Sequence, residues 1–342
     1  MLGVRRTVAG VTAVLMLSAC SGGMDSNLGS DPSVGTAVPT AALPTATVPP
    51  TAPDLLDLFP GRADALPDVV AWQPAATEIQ PEIKLAAARV IEALGNASTT
   101  ASTPQERLAA MGADPALVAG AGALVPPSAP SVAEVVYPQY GGLTPDASTV
   151  MTVVRQTWLA AGAAMSRTIT VDVRLARDSD GWRVTALFPV EPVDRSTLDL
   201  TAPAAALADD PQVDLPPAAV FDLAVGVDPR VVDVLARLSR TYALSVSVVR
   251  AGHPVEIFGT DRPSKHTSGR AVDVWAIDGV PVVTMGIDDP LLVGFLDAAR
   301  ELGAQSIGGP VDLDGPRGVH FADDLHRDHV HIAFDEPAMP RP

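Results

Sequence analysis

Histidine is scarce in this chain of 342 residues, yet five of its six histidines fall between positions 266 and 331. His326, His329 and His331 lie within six residues of one another, and His266 precedes Asp273 with six residues between them. Imidazoles are costly to crowd unless a cation or a proton transfer uses them. Two imidazoles and a carboxylate brought in from separate strands suit a zinc ion, with the fourth position left for water. His266, Asp273 and His331 would make such a set. Zinc would draw the pKa of its water towards neutrality and polarise the carbonyl under attack, which is hydrolytic chemistry.

The elements around these residues are expected to position them. A strand over 271–276 places Asp273 on a sheet, with His266 in the loop that enters it, Gly269 allowing a tight turn and Ala271 leaving room. His329 and His331 are two apart on a strand over 330–334, so they share one face. One can bind metal while the other faces substrate. A helix over 229–242 and a buried strand over 244–249 ending at Arg250 come before. Asp289 as N-cap, Pro290 in the first turn and Gly303 as the stop define a further helix. Short strands at 305–307 and 319–321 complete an α+β domain on an antiparallel sheet. His253 and His320 lack ligand spacing and read as structural residues.

Ser264, His266, Gly269, Ala271 and Asp273, together with His329 and His331, resemble the signature of the LAS metallopeptidases, the superfamily of lysostaphin, the D-Ala-D-Ala peptidases and hedgehog. The resemblance covers about residues 218–336. It implies a hedgehog/DD-peptidase type of fold, with His266, Asp273 and His331 as zinc ligands. It also implies that Arg250 orients substrate or stabilises the oxyanion, and that Ser264 helps to place substrate. Many D-Ala-D-Ala peptidases carry Glu three residues before the last ligand, where this chain has Asp328, a shorter carboxylate. The run His326, His329, His331 is similar instead to the penicillin-insensitive murein endopeptidases, in which a histidine beside the metal does acid/base work. Histidine titrates near working pH. His329 is therefore the expected catalytic residue, with His326 supporting it and Asp328 as the alternative base or as a partner that orients a histidine.

The remaining sequence supplies an address. Arg5 and Arg6, an apolar run from Val8 to Leu17 and the segment ending at Cys20 read as a lipoprotein signal peptide over 1–19. Leu-Ser-Ala-Cys resembles the bacterial lipobox, so Cys20, the chain's sole cysteine, is the expected lipidation site. A Pro/Thr/Ala-rich tether follows over 20–53, a composition that cannot offset its ordering entropy. A first α+β domain is expected over 54–203, with helices at 81–94 and 104–111 and antiparallel strands at 132–137, 149–158, 168–176 and 182–187. Asp178 to Gly181 is a hairpin signal. A linker over 204–217 leads to the second domain, 218–342. The net charge of -17 argues against nucleic acid or an anionic membrane surface as partners.

Together these features predict a lipid-anchored zinc peptidase on the extracytoplasmic face of a bacterial membrane, cutting peptidoglycan peptides. The alternative is a lipoprotein that binds wall peptides without cutting them and keeps its metal as a structural part.

Overall fold

The computed structural model describes residues 62–63, 66–98 and 102–337. The expected signal peptide, Cys20 and the tether lie outside these residues.

Helix α1 (Pro81–Gly95) starts with proline at its first position and puts Ile83, Ala87, Val90, Ile91 and Leu94 on one face. That face covers an antiparallel sheet and joins Val135, Val150, Val154, Ile169, Val171 and Val173 in one core. Helix α2 (Pro104–Ala110) opens with a capping box between Thr103 and Glu106. The sheet consists of β1 (Arg62–Ala63), β2 (Ser131–Leu143), β3 (Ala147–Ala160), β4 (Ala163–Asp178) and β5 (Gly181–Pro189). Its order is β1-β4-β3-β2, with β5 also paired to β4. The β4–β5 hairpin turns where expected, and the Asp178 carboxylate accepts the Asp180 N–H at 2.9 Å. The strands outrun their expected lengths because β2 and β3 hold their pairing through two bulges, next to Val136 and Gly141.

The second half contains α3 (Ala202–Ala208), β6 (Val213–Asp214), α4 (Pro217–Val225), α5 (Pro229–Leu238), β7 (Leu244–Val248) and β8 (Ala271–Ile277). It continues with β9 (Val280–Pro281), α6 (Pro290–Glu301), β10 (Ser306–Gly309), β11 (His320–Ala322) and β12 (Val330–Ala333). Its sheet runs β11-β10-β12-β8-β7-β6, with β9 beside β8. The architecture is α+β, but this sheet is mixed rather than antiparallel throughout. The β10–β11 and β6–β7 pairs are parallel, each reached through a connection long enough to cross over. Asp289 caps α6 by accepting the Leu291 N–H at 2.9 Å, and Gly303 ends it with φ +93°.

The expected linker over 204–217 is a correction. It folds as most of α3 and all of β6, and Ala204, Leu207, Val213 and Leu215 are buried in the core of the second half. Its Ala/Pro composition conceals apolar anchors at helical and strand positions.

Tyr137 and Val153 from the first sheet pack with Trp275 and Ala276 from the second and with Val283 in the 3-10 turn after β9. The Tyr137 and Trp275 rings stack at 4.9 Å and 8°. The two sheets belong to one compact unit.

Candidate metal centre

Asp273 on β8 and His331 on β12 are direct partners across the antiparallel ladder. Their neighbours Val272, Val274, Val330 and Ile332 alternate into the core, which turns both functional side chains to the opposite face. His266 arrives from the turn before β8. The Gly269 N–H bonds to the His266 carbonyl at 2.8 Å, and Gly269 adopts φ +67° with its Cα facing the Gly226 carbonyl. A Cβ there would stand 2.5 Å from that oxygen, so only glycine closes this turn.

Three potential ligand atoms converge as a result. His266 Nε2 is 3.1 Å from His331 Nδ1 and 3.2 Å from Asp273 Oδ1, and His331 Nδ1 is 2.9 Å from the same oxygen. Tetrahedral zinc with bonds near 2.0–2.1 Å separates neighbouring ligand atoms by about 3.3 Å, so the triangle fits an ion of that size. His253 also approaches. His253, His266 and Asp273 bring ligand atoms within 4.8 Å of one another, close enough for one metal ion. However, the His253 ring stacks on His266 at 4.0 Å and 14°. A ligating lone pair lies in its ring plane, so two nearly parallel rings aim side by side rather than at one point. The His331 ring is tilted by 57° to His266 and suits a shared ion better. Sequence spacing had set His253 aside; the turn after β7 brings it to the cleft.

The surrounding hydrogen bonds favour metal binding. His266 Nδ1 faces the Val249 carbonyl at 2.6 Å, which leaves Nε2 as the free acceptor. Burial raises the cost of charge on Asp273, but the neighbouring His266 and His329 and the polar contacts with His266 and His331 hold its carboxyl well below the usual range. Burial also pushes His331 down to about 4, against the pull of Asp273. An ionised carboxylate and a neutral imidazole are the forms a divalent cation requires.

His329 lies just before β12 on the same face as His331. Its Nε2 is 3.7 Å from Asp273 Oδ2, and its Nδ1 is 2.6 Å from Asp328 Oδ1. Burial opposes a charge on His329, yet Asp273 and the Asp328 hydrogen bond outweigh it and hold its pKa above the ordinary value. Asp328 is fully engaged: Oδ2 takes the Lys84 ammonium at 2.7 Å and the Tyr140 N–H at 2.9 Å. Of its two expected roles, the geometry matches the partner that orients a histidine.

His253, His266, Asp273, His329 and His331 line a cleft of about 310 Å³, walled by Tyr140, Ile257, Phe258, Phe321 and Leu325. Ser264 and His326 also line it. Ser264 Oγ accepts the His266 N–H at 3.3 Å, and His326 is held by Asp323 at 2.6 Å. Gly308 makes room here, because a Cβ would strike Phe321 and His326 at 2.6–2.7 Å. Arg250 stays outside. It is exposed and absent from the cleft walls, while its backbone N–H bonds to Asp222 at 2.8 Å. His320, expected to be structural, is buried with its Nδ1 3.1 Å from Asp314.

Two residues that sequence reasoning missed come from the first half. Gln139 on β2 donates from Nε2 to Asp273 Oδ2 at 2.8 Å and accepts from Ser247. Lys84 on α1 is completely buried, paired with Glu78 and Asp328, with its ammonium 4.8 Å from the ring centres of Tyr137 and Tyr140.

No family model matches the chain, and no curated protein matches it. Among solved structures it is similar to a nuclear transport factor 2-like superfamily protein from Salmonella enterica serovar Typhimurium, at 14% identity and a TM-score of 0.18. That match covers 19% of this chain and 49% of the other. A second, an NTF2-like protein with a cystatin-like fold from Novosphingobium aromaticivorans, shows 13% identity, a TM-score of 0.18 and coverage of 30% and 66%. The chain thus spans less than two thirds of either relative. Likeness this low carries no argument about fold or activity.

Proposed function

We propose that the chain is a zinc-dependent peptidase of the LAS type, with a hedgehog/DD-peptidase-like second half, acting on peptidoglycan peptides. The observation that carries this reading is the convergence of His266 Nε2, Asp273 Oδ1 and His331 Nδ1 within 2.9–3.2 Å at a cleft. Two imidazoles and one carboxylate suit zinc better than calcium or magnesium, which favour all-oxygen sites. A zinc ion held there would act as a Lewis acid on water and on the peptide carbonyl.

The protein's own groups would do the rest. His329 Nε2 faces the cleft as the proton carrier, and Asp328 fixes its other nitrogen. The apolar walls exclude water from the reacting bond. Ser264 stands where a substrate amide or carboxylate can meet a hydroxyl. The lipobox-like segment at Cys20 supports attachment to the outer face of a bacterial membrane, where wall peptides are the nearby substrate.

A second reading is a wall-peptide-binding lipoprotein with a structural metal. It draws support from Asp328, whose oxygens are all committed, and from Arg250, which stands outside the cleft. The deciding experiment incubates the protein with purified murein, measures bound zinc and follows new amine groups by mass spectrometry. The peptidase reading expects about one zinc per chain and cleavage that stops with chelation or His331→Ala. Muropeptide binding without new amines would leave the second reading.

A further inference from the structure

We infer that the first half of the chain is a working part of the metal centre, with Gln139 positioning Asp273 and Lys84 positioning Asp328 and, through it, His329. The inference rests on the metal-site reading above but not on peptide hydrolysis.

Gln139 comes from β2, 134 residues before Asp273, and is completely buried. Its orientation is settled by its partners. An ionised carboxylate only accepts and the Ser247 hydroxyl can donate, so the amide NH₂ must face Asp273 and its carbonyl must face Ser247. Asp273 Oδ2 is thereby occupied by Gln139, while Oδ1 is left facing His266 and His331. The amide thus selects which carboxylate oxygen can ligate. Second-layer hydrogen bonds of this kind orient the ligand and are typically worth 10–100-fold in metal affinity.

Lys84 does the same for the proton carrier. Its ammonium meets Asp328 Oδ2, and the Tyr140 N–H reaches the same oxygen. Oδ1 is then turned to His329 Nδ1, which fixes the tautomer with Nε2 towards the cleft. Glu78 and Tyr137 hold Lys84 from behind. Each of these groups except Asp328 and His329 belongs to the first half. Among the described residues of that half, none is hydrogen-bonded to His266 Nε2, Asp273 Oδ1 or His331 Nδ1, yet both carboxylates of the site are held from it.

The two arms can be read separately on the full chain. Gln139→Met should weaken zinc binding by about 10–100-fold in competition with a chromogenic chelator. Ser247→Ala, a small change that keeps the fold, should weaken it in the same direction by about threefold or more as the amide loses its anchor. The paired variant Lys84→Met with Glu78→Gln removes one positive and one negative charge together. It should leave zinc affinity within about twofold. In histidine-labelled protein, at a pH above the end of the His329 titration followed in the same spectra, nitrogen NMR should show the neutral His329 ring changing from one tautomer to a mixture. Native-like zinc affinity in both Gln139→Met and Ser247→Ala would overturn the first arm. An unchanged His329 tautomer, or equal loss of zinc affinity in the paired variant, would overturn the second by reducing Lys84 to a packing role. Native protein that binds zinc but cuts no murein would refute the peptidase reading and leave both readouts standing.

Discussion

Asp273 and His331 face each other across adjacent antiparallel strands, with Oδ1 and Nδ1 2.9 Å apart. Because both side chains leave the sheet on one face, their separation is fixed by ladder geometry rather than by loop conformation. His266 needs only one tight turn to join them. A site of this kind should be ordered before an ion arrives.

Zinc should therefore act as a stabilising ligand. At a free concentration one hundred times the dissociation constant, binding adds about 2.7 kcal/mol, visible as a rise in unfolding temperature. His331→Ala should abolish that rise and reduce bound zinc to background, measured by metal analysis and calorimetry.

His329 and His326 should separate kinetically. His329→Gln should retain zinc and lower kcat by about 10²–10⁴-fold, the usual worth of a positioned acid/base. His326→Ala, a cleft wall held by Asp323, should cost less than about tenfold. Equal losses would place the proton transfer elsewhere.

Lys84 should be a stability residue as well. Lys84→Met alone leaves Glu78 and Asp328 buried without a cation and should cost about 3–5 kcal/mol in urea unfolding. Adding Glu78→Gln should recover part of that loss by removing one of the two stranded charges.

Asp222 should give the fold a pH dependence. Burial raises its pKa to about 6, against the hydrogen bonds from the Ala251 and Arg250 N–H groups. A raised folded-state value means that this carboxyl favours folding when protonated, fully below about pH 4, and that the contribution is lost as pH rises through about 6. Asp222→Asn keeps an acceptor for both N–H groups without the charge. In chelator-treated protein it should gain about 2–3 kcal/mol on the native chain between pH 4.5 and 7.5, read by urea unfolding at each pH.

The sequence made the convergence of His266, Asp273 and His331 legible because the rules that place them are local. Two-residue alternation put His329 and His331 on one face, and Gly269 marked the turn that admits His266. The groups holding them were hidden, since Gln139 and Lys84 lie far away in the chain and meet the site only through packing of two sheets. One clue to Lys84 was present: it shares helical spacing with Ala87, Ala88 and Ile91 on the buried face of α1. A cation at such a position needs a buried counter-charge. His253 had no comparable clue, because its approach depends on a turn whose path no periodicity records. The segment 204–217 misled through composition, while Leu207, Val213 and Leu215 carried the apolar spacing of real elements.

The buried ammonium of Lys84 also sets a limit on modularity. Residues 218–342 look like a cassette that could be cut free and joined to another anchor. Excision would strip Asp328 of its counter-ion, uncover the Trp275 face and leave Asp273 without its amide. Loss of the first half would also take away the Tyr140 wall of the cleft, so a fusion that borrows the motif must borrow β2 and α1 with it.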